Sequence, residues 1–161
     1  MRISASQSPL VAEAASVAGG GLSSAMLKLG TPRNKRLRVL LVEDDEGDLY
    51  LVRRALAADP RVGDVMVARD GLEALDLITR WSSAPDLAIV DLHMPRKDGF
   101  ELLGDLAAKS YVRFPAVVLS SSQAGEDIRR AKKRGAVQFL TKPNSVEKLT
   151  RALHDVISKL N

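Results

Sequence analysis

The sequence predicts an α/β fold: a doubly wound, five-stranded parallel sheet in the order 2-1-3-4-5, with five helices on its two faces as a three-layer sandwich. Three observations predict it. Short strand-like runs alternate with helical-period segments five times between Leu37 and Asn161. Val39–Val42, Leu87–Val90 and Ala116–Leu119 are apolar throughout, as strands covered on both faces are. No internal repeat is visible, and crossovers between parallel strands take one hand, which restricts the topology.

Each element has its own signal. Arg38–Val42 is a β-branched and leucine run ending at acidic residues. Glu46–Ala58 carries Leu49, Val52 and Leu56 at helical spacing, and Pro60 stops it. Val62–Ala68 reads as a strand, and Asp70 caps a helix containing Leu72, Leu75, Leu77 and Ile78. Pro85 precedes the strand Leu87–Val90, and Asp98–Ala108 is the third helix. Ala116–Leu119 is the fourth strand. Asp127–Arg134 belongs to the fourth helix, which Gly135 ends. Val137–Leu140 is a short strand, and Asn144 or Ser145 caps a last helix that buries Val146, Leu149, Leu153, Val156, Ile157 and Leu160.

Residues 1–36 differ in composition from the rest. Gly19, Gly20 and Gly21 run together among Ser and Ala, which predicts a disordered or flexible extension, with a marginal short helix at Leu22–Leu29. This block holds five basic residues against Glu13, the whole of the chain's +4 charge; residues 37–161 are neutral, with 19 basic and 19 acidic residues. Electrostatic support for nucleic-acid binding by the core is therefore missing.

Apolar residues make up 45% of the chain, enough for a packed core. The absence of cysteine excludes disulfides, thiol nucleophiles and Cys-ligated metals, and is compatible with a reducing cytoplasm. No window approaches the roughly 18 apolar residues of a membrane span. The N-terminus lacks the apolar core of an export signal. The expectation is a cytoplasmic protein with neither membrane nor nucleic acid as partner.

In an open α/β sheet the site lies beyond the carboxyl ends of the strands. Strand one is followed by Glu43, Asp44 and Asp45, strand three by Asp91, strand four by Ser120 and strand five by Lys142. Clustered carboxylates repel one another, and a hard cation with oxygen ligands, such as Mg²⁺, relieves that repulsion. A carboxylate can attack phosphorus and form an aspartyl phosphate. The transferred group then needs a metal, an ammonium and a hydroxyl or N–H donor around its oxygens. Asp91, last on the central strand, is best placed as nucleophile. Singly, each residue is also an ordinary turn, cap or surface residue; four strand ends carrying compatible groups make the joint reading the stronger.

Val42-Glu43-Asp44-Asp45, the run Asp91-Leu92-His93-Met94-Pro95-Arg96-Lys97-Asp98-Gly99, Val118-Leu119-Ser120 and Leu140-Thr141-Lys142-Pro143 resemble the four signature segments of response-regulator receiver domains. The resemblance spans residues 37–161 and implies a flavodoxin-like fold. It implies that Asp91 is the phosphoacceptor and that Asp44 ligates Mg²⁺ (or Mn²⁺) directly, Glu43 largely through water. The backbone carbonyl of His93 is implied as a further ligand. Ser120 resembles the switch hydroxyl, Lys142 the lysine that pairs with the phosphoryl group, and Phe139 the aromatic rotamer switch. It further implies a cis Lys142–Pro143 peptide, within the ordinary capacity of X-Pro bonds.

Some positions depart from the common pattern. Phe139 stands where Tyr is frequent, so no phenol can hydrogen-bond when the ring turns inward. Ser120 stands where Thr is commoner. His93 and Ser122 occupy the two positions that modulate dephosphorylation in the family; neither is a carboxylate or amide, which predicts slow self-hydrolysis.

Glu43-Asp44-Asp45-Glu46-Gly47-Asp48 and Pro95–Gly99 are also similar to the single-domain regulators partnered with bacterial phytochrome histidine kinases. That implies a phosphorelay fed by a sensor histidine kinase, here a bacteriophytochrome, with a histidine phosphotransfer protein as a further partner. It also implies red-light signalling and a homodimer through the fourth helix, fifth strand and fifth helix. No output domain follows the fifth helix, so the chain is expected to signal through protein contacts. Arg129, Arg130, Lys132, Lys133 and Arg134 form either a solvated helix face or part of a partner surface. His154 is expected as a surface or partly buried residue, and Trp81 as the natural fluorescent reporter.

Three rivals stand beside this reading. A haloacid-dehalogenase-type phosphatase would need a second Asp two residues after Asp91, where His93 stands. A receiver-like module could bind partners without being phosphorylated. The basic tail could bind nucleic acid. The receiver reading is not an enzyme with turnover, but a phosphoacceptor that catalyses its own phosphorylation and slow hydrolysis.

Overall fold

The computed structural model describes residues 35–160. The predicted extension, with its short helix at Leu22–Leu29, lies outside them except for Lys35 and Arg36. Ten elements alternate in order: β1 (Leu37–Val42), α1 (Glu46–Ala57), β2 (Val62–Ala68), α2 (Gly71–Arg80), β3 (Leu87–Val90), α3 (Gly99–Ala108), β4 (Ala116–Ser120), α4 (Gly125–Lys133), β5 (Gln138–Thr141) and α5 (Val146–Ser158). The strands form one parallel sheet in the predicted order β2-β1-β3-β4-β5.

Alternation along the strands builds two cores. Leu40, Val42, Ala88, Val90 and Val118 face one way and pack with Ala74 of α2, Phe100, Leu103 and Leu106 of α3, and Ala131 of α4. Val39, Leu41, Leu87, Ile89, Val117 and Leu119 face the other way, against Leu49, Val52 and Leu56 of α1 and Leu149, Leu153 and Ile157 of α5. Each fully buried Leu or Ile contributes about 1.5–3 kcal/mol relative to exposure. The central strands are buried on both sides, which is why their sequences carry no polar alternation.

The helix starts follow local chemistry. Asp45 accepts from the Asp48 amide, Asp70 from Leu72 and Glu73, and Ser145 from Lys148. Asp98 lies just outside α3 as its cap, in a reciprocal capping box with Glu101. The helix α4 begins at Gly125, two residues before the predicted stretch, and its cap position, Ala124, makes no side-chain hydrogen bond. That start therefore carries no capping signal. Gly135 ends α4 with φ of 101°, a conformation that favours glycine.

Two expectations are corrected, and the exposure of one apolar helix residue is new. The strand β5 runs from Gln138 rather than Val137, which lies at a bend just before it with its amide donating to the Ala116 carbonyl at 2.9 Å. Leu72 points largely to solvent although it keeps the apolar period of α2. The Lys142–Pro143 peptide is trans, as is every peptide bond among the described residues. The trans form is the lower in energy for X-Pro by about 0.5–1 kcal/mol, and with it the Lys142 amide still donates to the Ser120 carbonyl at 2.8 Å.

Candidate functional site at the carboxyl edge of the sheet

Strand register sets the site. Val42 pairs with Ala68 on one side and Val90 on the other. The ladder continues one residue further: the Glu43 amide donates to the Ala68 carbonyl at 3.0 Å, and the Asp91 amide to the Val42 carbonyl at 2.9 Å. On the other side, Ser120 pairs with Thr141 and its carbonyl accepts from the Lys142 amide. The backbone bonding that closes the sheet thus brings Glu43, Asp91, Ser120 and Lys142 to one edge.

Glu43 and Asp91 are buried and Asp44 is exposed; one carboxylate oxygen of each lies within 4.8 Å of the others. Burial pushes the Glu43 carboxyl up, and bonds from Lys142 and the Asp45 amide only partly offset it. Lys142 Nζ reaches Glu43 Oε2 at 2.7 Å, Asp48 Oδ2 at 2.6 Å and Asp91 Oδ1 at 3.4 Å. Burial by itself would lower the ammonium, but Asp48 and Glu43 outweigh it and raise Lys142 above its ordinary value. The ammonium remains charged and bridges the carboxylates.

This donor set fits a divalent cation. Three carboxylates with one oxygen of each within 4.8 Å of the others are hard oxygen ligands, the type that Mg²⁺ and Mn²⁺ prefer. One of the three is exposed, which leaves a side open for water or a phosphate oxygen.

Ser120 is fully buried at the end of β4, and its Oγ accepts from the Ser122 amide at 3.3 Å. Phe139 is half-buried on β5 beside Val118, packed against the core that α2, α3 and α4 cover. His93 is exposed on the loop after β3, its Nε2 3.9 Å from Asp127 Oδ2. Ser122 donates to the same Asp127 oxygen at 2.5 Å and accepts from the Ala124 amide at 3.2 Å. The structure thus joins Glu43, Asp44, Asp91 and Lys142 directly, and sets His93 and Ser122 around Asp127.

Two participants were not singled out from sequence. Asp48, in the first turn of α1, holds Lys142 across 94 residues, a pairing no local pattern announces. Asp70 was expected only as a cap; its second oxygen also pairs with Arg96, whose φ of 64° is uncommon outside glycine. With the Gly71 amide donating to the Lys97 carbonyl at 3.0 Å, this ties the loop after β3 to the start of α2.

Expectations for two further residues are refined. The Trp81 ring lies 4.7 Å from Arg38, the second residue of β1, and so sits toward the amino edge of the sheet, away from the carboxylates. Its position makes mass a better readout than fluorescence. His154 is exposed, as expected, but its Nδ1 lies 3.2 Å from buried Asp59.

Comparison with known proteins agrees with this architecture. The family model "Response regulator receiver domain" matches residues 39–154. The chain is similar to the phosphorylated cyanobacterial phytochrome response regulator RcpA, at 31% identity and TM-score 0.70, covering 75% of this chain and 91% of that one. It is similar to Response regulator Rcp1 of Synechocystis at 29% identity over 74% of this chain and 86% of that protein. The Mn²⁺-bound structure of Rcp1 gives a TM-score of 0.68 over 76% and 92% of the two chains. The bacteriophytochrome response regulator AtBRR is 34% identical with TM-score 0.63, over 74% and 91%. By contrast, the chain spans 33% of a protein-glutamate methylesterase of Methanospirillum hungatei to which it is 40% identical.

Proposed function

The chain belongs to the response-regulator receiver family, and on that premise we propose that Asp91 accepts a phosphoryl group from a sensor histidine kinase. The observation that carries this is the Glu43, Asp44 and Asp91 cluster, within 4.8 Å, with the Lys142 ammonium 3.4 Å from Asp91. An Asp91 oxygen attacks phosphorus, the P–N bond to the kinase histidine breaks, and the imidazole leaves with the electron pair. Lys142 moves its charge onto the incoming phosphoryl oxygens, and Ser120 donates its hydroxyl to one of them. Asp44, Asp91 and the His93 carbonyl would hold Mg²⁺ or Mn²⁺, with Glu43 acting largely through water, and the ion would neutralise charge on the phosphoryl oxygens. The all-oxygen donor set and the Mn²⁺-bound relative support that assignment.

Ser120 and Phe139 then form the switch: the hydroxyl moves toward the phosphoryl group, and the ring follows into the space it leaves. Phe139 lies on β5, packed against the core that α4 helps to cover, and Ser120 pairs with β5 from the end of β4, which supports a signalling or homodimer face on α4, β5 and α5. Similarity to RcpA, Rcp1 and AtBRR supports a bacteriophytochrome as kinase. A histidine phosphotransfer protein fits the same site. The Ser122 hydroxyl donates its one proton to Asp127 in the first turn of α4 and accepts from the Ala124 amide, so it has no donor left to orient a hydrolytic water. This supports a long-lived phosphoryl group and a signalling protein rather than a turnover enzyme. No helix among the described residues is long and apolar enough to cross a membrane; the cytoplasm is the proposed location.

The test is intact mass after incubation with Mg²⁺ and acetyl phosphate, beside Asp91→Asn. A gain of one phosphoryl mass, lost in the variant and in EDTA, is the expected result. No gain in the wild type would instead identify a receiver-like module that binds partners without phosphorylation.

A further inference from the structure

We propose that the cleft between α3 and α4 is a docking surface for an acidic segment of another protein that carries apolar side chains. The inference is independent of phosphorylation at Asp91.

Five of the six residues from Arg129 to Arg134 are basic, and all five are exposed. Several other cations in the domain have carboxylate partners, among them Arg61 with Asp59, Arg69 with Glu46, Arg80 with Asp76 and Lys97 with Asp105. Among the described residues no carboxylate lies within ion-pair distance of Arg129, Arg130, Lys132, Lys133 or Arg134. Like charges three and four positions apart on a helix repel, here 129 with 132 and 133, and 130 with 133 and 134. The negative carboxyl end of α4 favours the basic residues in its last turn, Arg130, Lys132 and Lys133, and so offsets part of this repulsion.

These charges line a recess. Gly104, Ala107, Arg130, Lys132, Lys133 and Arg134 bound a cleft of about 570 Å³. Its floor is made by small residues. A side chain at Gly104 would come 3.0 Å from Arg134 Nη1, and one at Gly135 would come 3.3 Å from Ala107. Through Ala107 and Gly135 the cleft joins a slot of about 140 Å³ lined by Leu103, Leu106, Val112, Phe114 and Val137. Val137, 63% exposed, stands at its rim.

A charged rim beside an apolar slot suits a partner that offers carboxylates and an aliphatic side chain together. Positive potential steers and orients such a segment, and the slot supplies an anchor. Nucleic acid fits less well, because no exposed aromatic ring lines either recess to stack on a base.

The test is fluorescence anisotropy of the full chain with a labelled synthetic peptide rich in Glu and carrying spaced Leu residues. Two variants probe the two halves: Lys132→Glu with Lys133→Glu, and Val137→Glu. Each should weaken binding by about tenfold or more, and so should replacing the peptide's Leu residues with Ser. Both variants should melt as the wild type does and still gain a phosphoryl group at Asp91, which separates failure of the surface from failure of the phosphoacceptor. Unchanged binding in either variant overturns the proposal. A labelled single-stranded oligonucleotide binding more tightly than the peptide would assign the surface to nucleic acid and overturn it. A wild-type dimer that the double variant dissolves would assign it to a second copy of the chain, and also overturn it.

Discussion

Lys142 Nζ lies 2.6 Å from Asp48 Oδ2 and 3.4 Å from Asp91 Oδ1. The ammonium proposed to pair with the phosphoryl oxygens is therefore held more closely by a carboxylate on α1 than by the phosphoacceptor. Its transfer onto phosphoryl oxygens must break or stretch the Asp48 contact.

Asp48→Asn should accelerate phosphorylation by a small-molecule donor. The Asp48 side chain is about one-third exposed, so the pair is worth at most about 1 kcal/mol, a rise of about two- to fivefold in rate. Intact mass against time with acetyl phosphate and Mg²⁺ measures it. A slower rate would mean that Asp48 positions Lys142 productively instead of restraining it.

Asp44→Asn removes a charged oxygen from the metal cluster while leaving the buried Glu43–Lys142 pair in place. Divalent-cation affinity should fall by about tenfold or more, measured by calorimetric titration with Mn²⁺. Folding should be nearly unaffected because Asp44 is exposed.

Gly99 is fixed by the site and not by its helix. A side-chain carbon there would overlap the Asp91 carbonyl oxygen and come 2.8 Å from Leu92 Cα, both backbone atoms that cannot swing away. Gly99→Ala should cost about 1–3 kcal/mol of stability and displace Asp91. A denaturant midpoint lowered together with slower phosphorylation is the expected result; normal phosphorylation at lowered stability would separate the two effects.

Buried Asp59 supplies a second pH signal, away from the carboxylate cluster. Arg61 donates to both its oxygens, at 2.9 and 2.6 Å, and this bonding holds the Asp59 carboxyl down at about 2. Because its folded value lies below the ordinary 3.8, its contribution is full above about pH 4 and is lost as pH falls through 2. Asp59→Asn should cost about 1–2 kcal/mol at neutral pH and flatten the stability profile between pH 4 and 2. Urea midpoints across that range measure it.

The edge chemistry was legible because each candidate sits at the end of an apolar run: Val42 before Glu43, Val90 before Asp91, Leu119 before Ser120. Asp98, expected as the first residue of its helix, is instead its cap; capping was legible at Asp70, and at Ser145 as one of two candidates with Asn144. The start of α4 was not, since Ala124 offers no capping group. The exposure of Leu72 was not either, because helical period shows which residues share a stripe and not how far that stripe is covered.

The sequence by itself determined the five alternations and the residues that follow each strand, because period, apolarity and turn chemistry are local properties of the chain; the strand order was expected only as the usual one for a sheet of five such units. Only the tertiary structure decided that Lys142 meets Asp48 as well as Glu43, that Asp127 engages Ser122 beside His93, that Arg96 closes on Asp70, and that the α4 cations border an apolar slot. Those pairings join residues distant in sequence or on different elements. They depend on how strand register and helix packing orient side chains, and no spacing along the chain encodes that orientation.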